Sequence, residues 1–312
     1  MTFSFRPAIR QNASLLIGLV GASGSGKTFS AMRLAHGIAG DKPFAVIDTE
    51  AGRALHYADR FRFDHGDLHP PFRPGAYVEA IHAADAAGYP VIVVDSMSHE
   101  HAGEGGLLDW QEEELTRMAG DDYRKREACK MAAWIRPKMS HKSMVQRLLQ
   151  VRAHLILCFR AEEKVAMEKH EGKTVIVPKG WQPICEKNMP YEMTASFLLM
   201  CDRPGYPNPI KLQEQHRALF SRPTIDEEAG RGIAAWASGG APAEKPAGAS
   251  TETSMPEGTR LDLETTILDA TDLDGLKVAY KTAIRAAHGF SDEDAACEVF
   301  TQLKDVRKGE LA

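Results

Sequence analysis

Gly21-Ala22-Ser23-Gly24-Ser25-Gly26-Lys27-Thr28 carries the spacing G-x-x-x-x-G-K-[ST], and the residue types explain the spacing. Glycines let the backbone curl until successive N–H groups point inward, an arrangement that suits a run of phosphates. Lys27 is then placed to reach the β- and γ-phosphates, and the Thr28 hydroxyl to hold Mg2+. This chemistry predicts a bound nucleoside triphosphate.

Two carboxylates are spaced to complete such a site. The apolar run Val91-Ile92-Val93-Val94 ends in Asp95, as a strand buried on both faces does when its last side chain meets a magnesium shell. A second run, Phe44-Ala45-Val46-Ile47, ends in Asp48-Thr49-Glu50. Near a γ-phosphate, Glu50 can orient and deprotonate a water. Pairing with Arg53 and exposure to solvent are equal alternatives for this carboxylate, and the sequence leaves them open.

The elements that must position these residues follow from the flanking pattern. Leu15–Val20 is an apolar run ahead of the glycine loop, and a helical pattern follows it, so the helix adds its positive N-terminal end to the loop. In a parallel α/β sheet, ligands sit beyond the carboxyl ends of the strands. The loop, Glu50 and Asp95 can converge there.

Taken with Leu155-Ile156-Leu157-Cys158-Phe159-Arg160, these segments resemble the ATPase core of RecA-type recombinases. They are closer still to the phage-encoded, AAA-type ATP-binding proteins with a reduced RecA core that are associated with single-strand annealing and recombination. The resemblance covers roughly residues 12–235. It implies an α/β fold, a RecA-like P-loop NTPase core with a mostly parallel sheet. It also implies ATP and Mg2+ as cofactors, Glu50 as the activator of the hydrolytic water, Lys27 as a catalytic cation, and Thr28 with Asp95 at the metal. Arg160 falls where the bacterial recombinase has a glutamine that senses the γ-phosphate, a departure that bears on its sensor role. Single-stranded DNA and further copies of the chain are the implied partners. Helicase or helicase-loader ATPases use the same core, and a nucleotide-gated adaptor with weak hydrolysis is a third reading.

Composition bounds the rest. The 312 residues are 43% hydrophobic, sufficient for one sizeable core and a small appendage. A net charge of −5 excludes a globally basic nucleic-acid coat but leaves local patches open. The five cysteines, Cys129, Cys158, Cys185, Cys201 and Cys297, form no Cys-x-x-Cys pair, the pattern of reduced thiols rather than structural zinc. Met1–Arg6 lacks a signal-peptide layout and no apolar run approaches ~18 residues, so a cytoplasmic protein is expected, in the host cell if phage-encoded. His99 and His101 flank Glu100 without partners at ligand spacing, which reads as a polar loop rather than a metal site.

Positive charge concentrates between the third and fourth of these runs. From Arg117 to Arg152 there are ten Lys/Arg against three Asp/Glu, with Tyr123 and Trp134 among them. Cations tracking phosphates beside rings that stack on bases are what single strands require. Alternatively, Met131, Trp134 and Ile135 form a helix face packed on the sheet. A second loop, expected over Glu162–Gly180, holds Lys164, Lys169, Lys173 and Lys179.

Residues 1–237 are thus expected as the core and 238–259 as a disordered Gly/Pro/Ser-rich linker. Residues 260–312 are expected as a small acidic module of helices over Leu261–Ala270, Leu273–His288 and Asp292–Lys308. Gly289 is expected to end the second helix, and Ser291 with Asp294 to cap the third. Eleven Asp/Glu against seven Lys/Arg make this module a poor ligand for a phosphate backbone. It either docks a protein partner or packs on the core.

Overall fold

A computed structural model describes residues 13–170, 173–239, 255–287, 290 and 292–311. In chain order the first unit contains β1 (Leu16–Gly21), α1 (Lys27–Ala39), β2 (Phe44–Asp48), β3 (Phe63–Asp67), α2 (Pro74–Ala86) and β4 (Val91–Asp95). Then come α3 (Ser98–Ala102), α4 (Leu107–Ala119), α5 (Tyr123–Cys129), α6 (Ile135–Leu148), β5 (His154–His170) and β6 (Lys173–Pro183). It ends with α7 (Met189–Glu192), β7 (Ala195–Leu199), β8 (Asn208–Leu212) and α8 (Glu227–Ser238). The sheet order is β3-β2-β4-β5-β1-β7-β8, parallel except for the antiparallel edge strand β8. This is the expected α/β P-loop core with a mostly parallel sheet.

Central strands are apolar throughout because both of their faces are covered. Along β1, Ile17 and Leu19 face one core with Ala31, Leu34 and Ile38 of α1 and Ile233 of α8. The alternate residues Leu16 and Val20 face the other, with Tyr77 and Ile81 of α2 and Met144 and Leu148 of α6. Helices α1 and α8 cross so closely that a methyl at Gly37 would fall on the Glu227 carbonyl, and one at Gly230 on that of Leu34. An Arg33–Glu227 ion pair of 2.5 Å closes the crossing.

Several segments differ from the sequence-based expectation. The supposed loop Glu162–Gly180 is a β-ribbon: β5 runs on past the sheet and pairs antiparallel with β6. Lys164, Val165, Met167, Val175 and Ile176 are all exposed, so no core-facing stripe marks it as strand. The basic stretch is helical, in α5 and α6, and His99, Glu100 and His101 lie on helix α3 rather than in a loop. Strand β3, Phe-Asp-His-Gly-Asp, was not expected; it forms at the sheet edge, where only β2 needs a partner.

Chain contacts separate a second unit, 241–312, from the first, 1–240. It consists of α9 (Glu257–Leu268), α10 (Leu273–Ala287) and α11 (Glu293–Glu310), packed on Ile267, Leu276, Ala283 and Phe300. Helix α9 starts ahead of the expected Leu261, because Met255 is already buried in this small core. Most of the expected linker, residues 240–254, lies outside the described residues, as do Gly289 and Ser291. Among the described residues no helix is long and apolar enough to cross a membrane.

At the amino-terminal ends of the strands, the Leu15 N–H donates to Nδ1 of buried His154 at 3.1 Å. Burial lowers this imidazole to about 4. The depressed value means the unfolded chain binds a proton that the folded chain refuses, so stability present above pH ~6.5 is lost as pH falls toward 4. Over that window the loss through His154 is expected to be about 3 kcal/mol. His154→Gln keeps an acceptor for Leu15 and does not titrate. Denaturant unfolding at pH 7 and pH 4 should therefore show a smaller drop for the variant, and equal drops would mean His154 titrates as in water.

Candidate functional site

The glycine loop links β1 to α1, and its geometry demands glycine at two positions. Gly24 and Gly26 have φ of +84° and +83°, the left-handed region in which a side chain is strained. A methyl at Gly21 would also collide with the Ser25 hydroxyl as the loop folds back on itself. Lys27 begins α1, so the first N–H groups of the helix point toward the space above the loop, as an anion site requires. The Lys27 ammonium donates to the Ala22 carbonyl at 2.9 Å, lying over its own loop.

Strand register brings the rest to the same end of the sheet. Asp48 is level with Asp95, Asp95 with Cys158, and Arg160 with Gly21, because β5 lies between β4 and β1. The Thr28 hydroxyl donates to Asp95 Oδ2 at 2.6 Å. Asp95 is almost fully buried, and burial pushes its carboxyl up to about 6 despite the Thr28 hydrogen bond. A desolvated carboxylate beside a hydroxyl, short of positive charge, is a donor set that fits a hard divalent cation.

Glu50 is presented by a turn that Asp48 builds: Asp48 accepts the Glu50 N–H at 2.6 Å and the Ala54 N–H at 2.9 Å. Thr49 fastens this turn to the segment after Asp95. Its N–H donates to the Asp95 carbonyl at 2.8 Å, and its hydroxyl accepts from Ser96 N at 2.8 Å. The roles of Asp48 and Thr49 were missed from sequence; the Asx-type spacing from Asp48 to Glu50 was the available signal.

Both carboxylate oxygens of Glu50 are engaged. Arg160 donates from Nε at 2.9 Å and Nη2 at 2.7 Å to Oε1, while Arg53 donates to Oε2 at 2.8 Å. Burial alone would raise the Glu50 carboxyl, but the two guanidiniums outweigh it and hold it below the ordinary carboxylate value. Arg160 therefore meets Glu50 directly, and the pairing with Arg53 foreseen as an alternative is also present. Lys27, Thr28, Glu50, Asp95 and Arg160 share one cavity of about 730 Å³. Phe29, His56 and Tyr57 line it as well, with the rings of Phe29 and Tyr57 5.9 Å apart; these aromatic walls were not foreseen.

The basic region presents fewer free cations than its composition indicates. Arg117 and Arg136 pair with Glu114, Arg126 with Glu112, Lys130 with Glu127, and Arg152 with Asp85. Arg124, Lys125, Lys142 and Arg147 have no ion-pair partner among the described residues, and Lys138 lies 5.5 Å over the Trp134 ring. Met131 is 78% exposed and Ile135 57%, so neither packs on the sheet as the alternative reading required. On the ribbon, Lys164 pairs with Glu162, and Val165, Met167 and Ile176 are exposed.

No curated protein matches the chain. A family model described as an AAA domain matches residues 13–197, from the approach to β1 into β7, which is more than half of the 312 residues. The matched span contains the glycine loop, Glu50, Asp95 and Arg160 in their shared cavity, and the chain belongs to this AAA-domain family of nucleotide-binding P-loop ATPases.

Proposed function

We propose that this protein hydrolyses ATP and couples turnover to single-stranded DNA, in phage-type recombination or annealing, as an oligomer of RecA-like cores. The observation that carries the reading is the convergence of Lys27, Thr28, Asp95 and Glu50 in one cavity above the glycine loop. Thr28 and Asp95 would hold Mg2+, which supplies charge neutralisation on the β- and γ-oxygens when bound. Lys27 and the loop N–H groups bind the phosphates and stabilise the charge that develops as the bond to the leaving ADP oxygen breaks. Glu50 orients the water that attacks the γ-phosphorus and takes its proton. Support for DNA as partner comes from the cations of α5 and α6 that have no ion-pair partner among the described residues, from the exposed Tyr123 ring on α5, and from the likeness to recombinase cores. The three-helix acidic unit fits a docking module for a protein partner, tethered so that it raises that partner's local concentration.

The test is ATP turnover with and without single-stranded DNA, and with Mg2+ chelated. Turnover that requires Mg2+ and rises with DNA supports the reading; turnover indifferent to DNA removes the recombination half of it. A second measurement localises the contact. Neutralising Arg124 and Lys125 together should reduce the slope of log affinity against log salt by roughly 1.4, since each lost phosphate contact removes about 0.7 on a single strand. Arg126 is left in place because it ties α5 to Glu112 and to the Gly120 carbonyl. ATP affinity should not change, since neither residue lines the nucleotide cavity. An unchanged salt slope would assign Arg124 and Lys125 to a solvated face.

A further inference from the structure

Arg160 occupies a mechanical boundary. It is the last residue of β5 in parallel register with β1, and from Ala161 onward the same strand pairs only with β6 in the ribbon. Its main chain is gripped on both sides of that boundary. The Arg160 N–H donates to the Ser98 hydroxyl at 2.8 Å, three residues beyond Asp95, while its carbonyl accepts from Ile184 N at 2.8 Å, where the returning arm of the ribbon re-enters the core. Sheet and ribbon thus meet at Arg160.

The side chain reaches back into the cavity and puts two N–H groups on Oε1 of Glu50, with Arg53 on Oε2. Two guanidiniums stabilise the charged carboxylate and place three N–H donors on the oxygens that would take a proton from water. A base held in this way is restrained. The Glu50 side chain is 12% exposed, whereas Arg160 is 45% exposed, so the arginine has room to leave and the carboxylate does not.

We propose that Arg160 is a positioning residue that latches Glu50 in the resting site and holds the base in check. The proposal rests on the reading of Glu50 as the base. It also accounts for an arginine at the end of this strand: a neutral side chain there would leave Glu50 with Arg53 alone and would not restrain it from the ribbon side.

Arg160→Gln keeps a polar side chain of similar length and removes the charge. Without DNA, its kcat for ATP is expected to rise by about 10-fold, a fraction of what a general base supplies, with KM for ATP unchanged. The double variant Glu50→Gln/Arg160→Gln should fall to the low rate of Glu50→Gln alone. A kcat that drops or stays level in Arg160→Gln, or a loss of ATP affinity, overturns the latch and makes Arg160 a ligand of the nucleotide or a passive neighbour. If Arg160→Gln does not fold, Arg160→Lys is judged by the same criterion, since one ammonium cannot reproduce the two-pronged contact. Normal turnover by Glu50→Gln alone would instead overturn the base assignment. The two failures are thus distinguishable.

Discussion

Lys27→Ala is expected to abolish nucleotide binding and turnover together, whereas Glu50→Gln is expected to bind ATP with near-parental affinity and lose turnover by ~10²-fold or more. The difference follows from where the two side chains act. Lys27 leaves the first turn of α1 over the loop itself, where it neutralises phosphate charge in ground and transition state alike. Its removal withdraws binding as well as rate. Glu50 stands on the turn after β2, where its carboxylate is held by Arg53 and Arg160 rather than by the loop. Glutamine preserves its shape and can still accept from Arg160, but it cannot accept a proton. Nucleotide affinity by a fluorescent analogue and single-turnover hydrolysis separate the two effects. Should Glu50→Gln hydrolyse ATP at the parental rate, Glu50 is a strand-end carboxylate that organises arginines, and the attacking water is activated elsewhere.

What could be read from the sequence is the part of the site built by local geometry. The glycine loop is contiguous, and its demands for positive φ and close approach are met by residues within the motif, so spacing sufficed. Asp95 was legible because a strand buried on both faces leaves an uninterrupted apolar run that ends at the site. Glu50 was found as a carboxylate in the right place, but its state was not. Arg160 is 110 positions away, and only the insertion of β5 between β4 and β1 brings the guanidinium to it. The ribbon was read as a loop because strands outside a core carry no apolar face to give period-two alternation. Strand β3 was missed for a related reason: a short edge strand is specified by its neighbour's unpaired groups more than by its own side chains. The aromatic wall of Phe29 and Tyr57 belongs to the same class, two rings unremarkable in sequence that the fold brings together at the cavity.

His141→Ala is expected to destabilise the first unit by about 3–5 kcal/mol, because it strips the partner from a buried charge. Glu100 lies on α3, just beyond Asp95, with its side chain 2% exposed, and its Oε1 meets Nδ1 of His141 on α6 at 2.9 Å. His141 is itself 9% exposed, and its other nitrogen is 4.0 Å from Glu186. Burial would lower the imidazole, but the Glu100 and Glu186 carboxylates outweigh it and hold His141 above the ordinary histidine value, while burial raises Glu100. With its folded value raised, His141 retains a proton that the unfolded chain releases above pH ~6.5. Its contribution is fully present below that pH and is lost as pH rises through the folded value. The reference is the double change Glu100→Met/His141→Met, which replaces the pair by apolar side chains of similar volume and is expected to fall near the parent in stability. Denaturant unfolding of parent, His141→Ala and the double variant at pH 6 and pH 9 reads out both claims: a large loss for the single change, and a parent that weakens relative to the double variant at the higher pH. The pair also joins the segment after Asp95 to the helix that carries Lys138 and Lys142. A single change that costs less than about 1 kcal/mol would mean that water reaches Glu100 and that α6 is held to the nucleotide site by apolar packing alone.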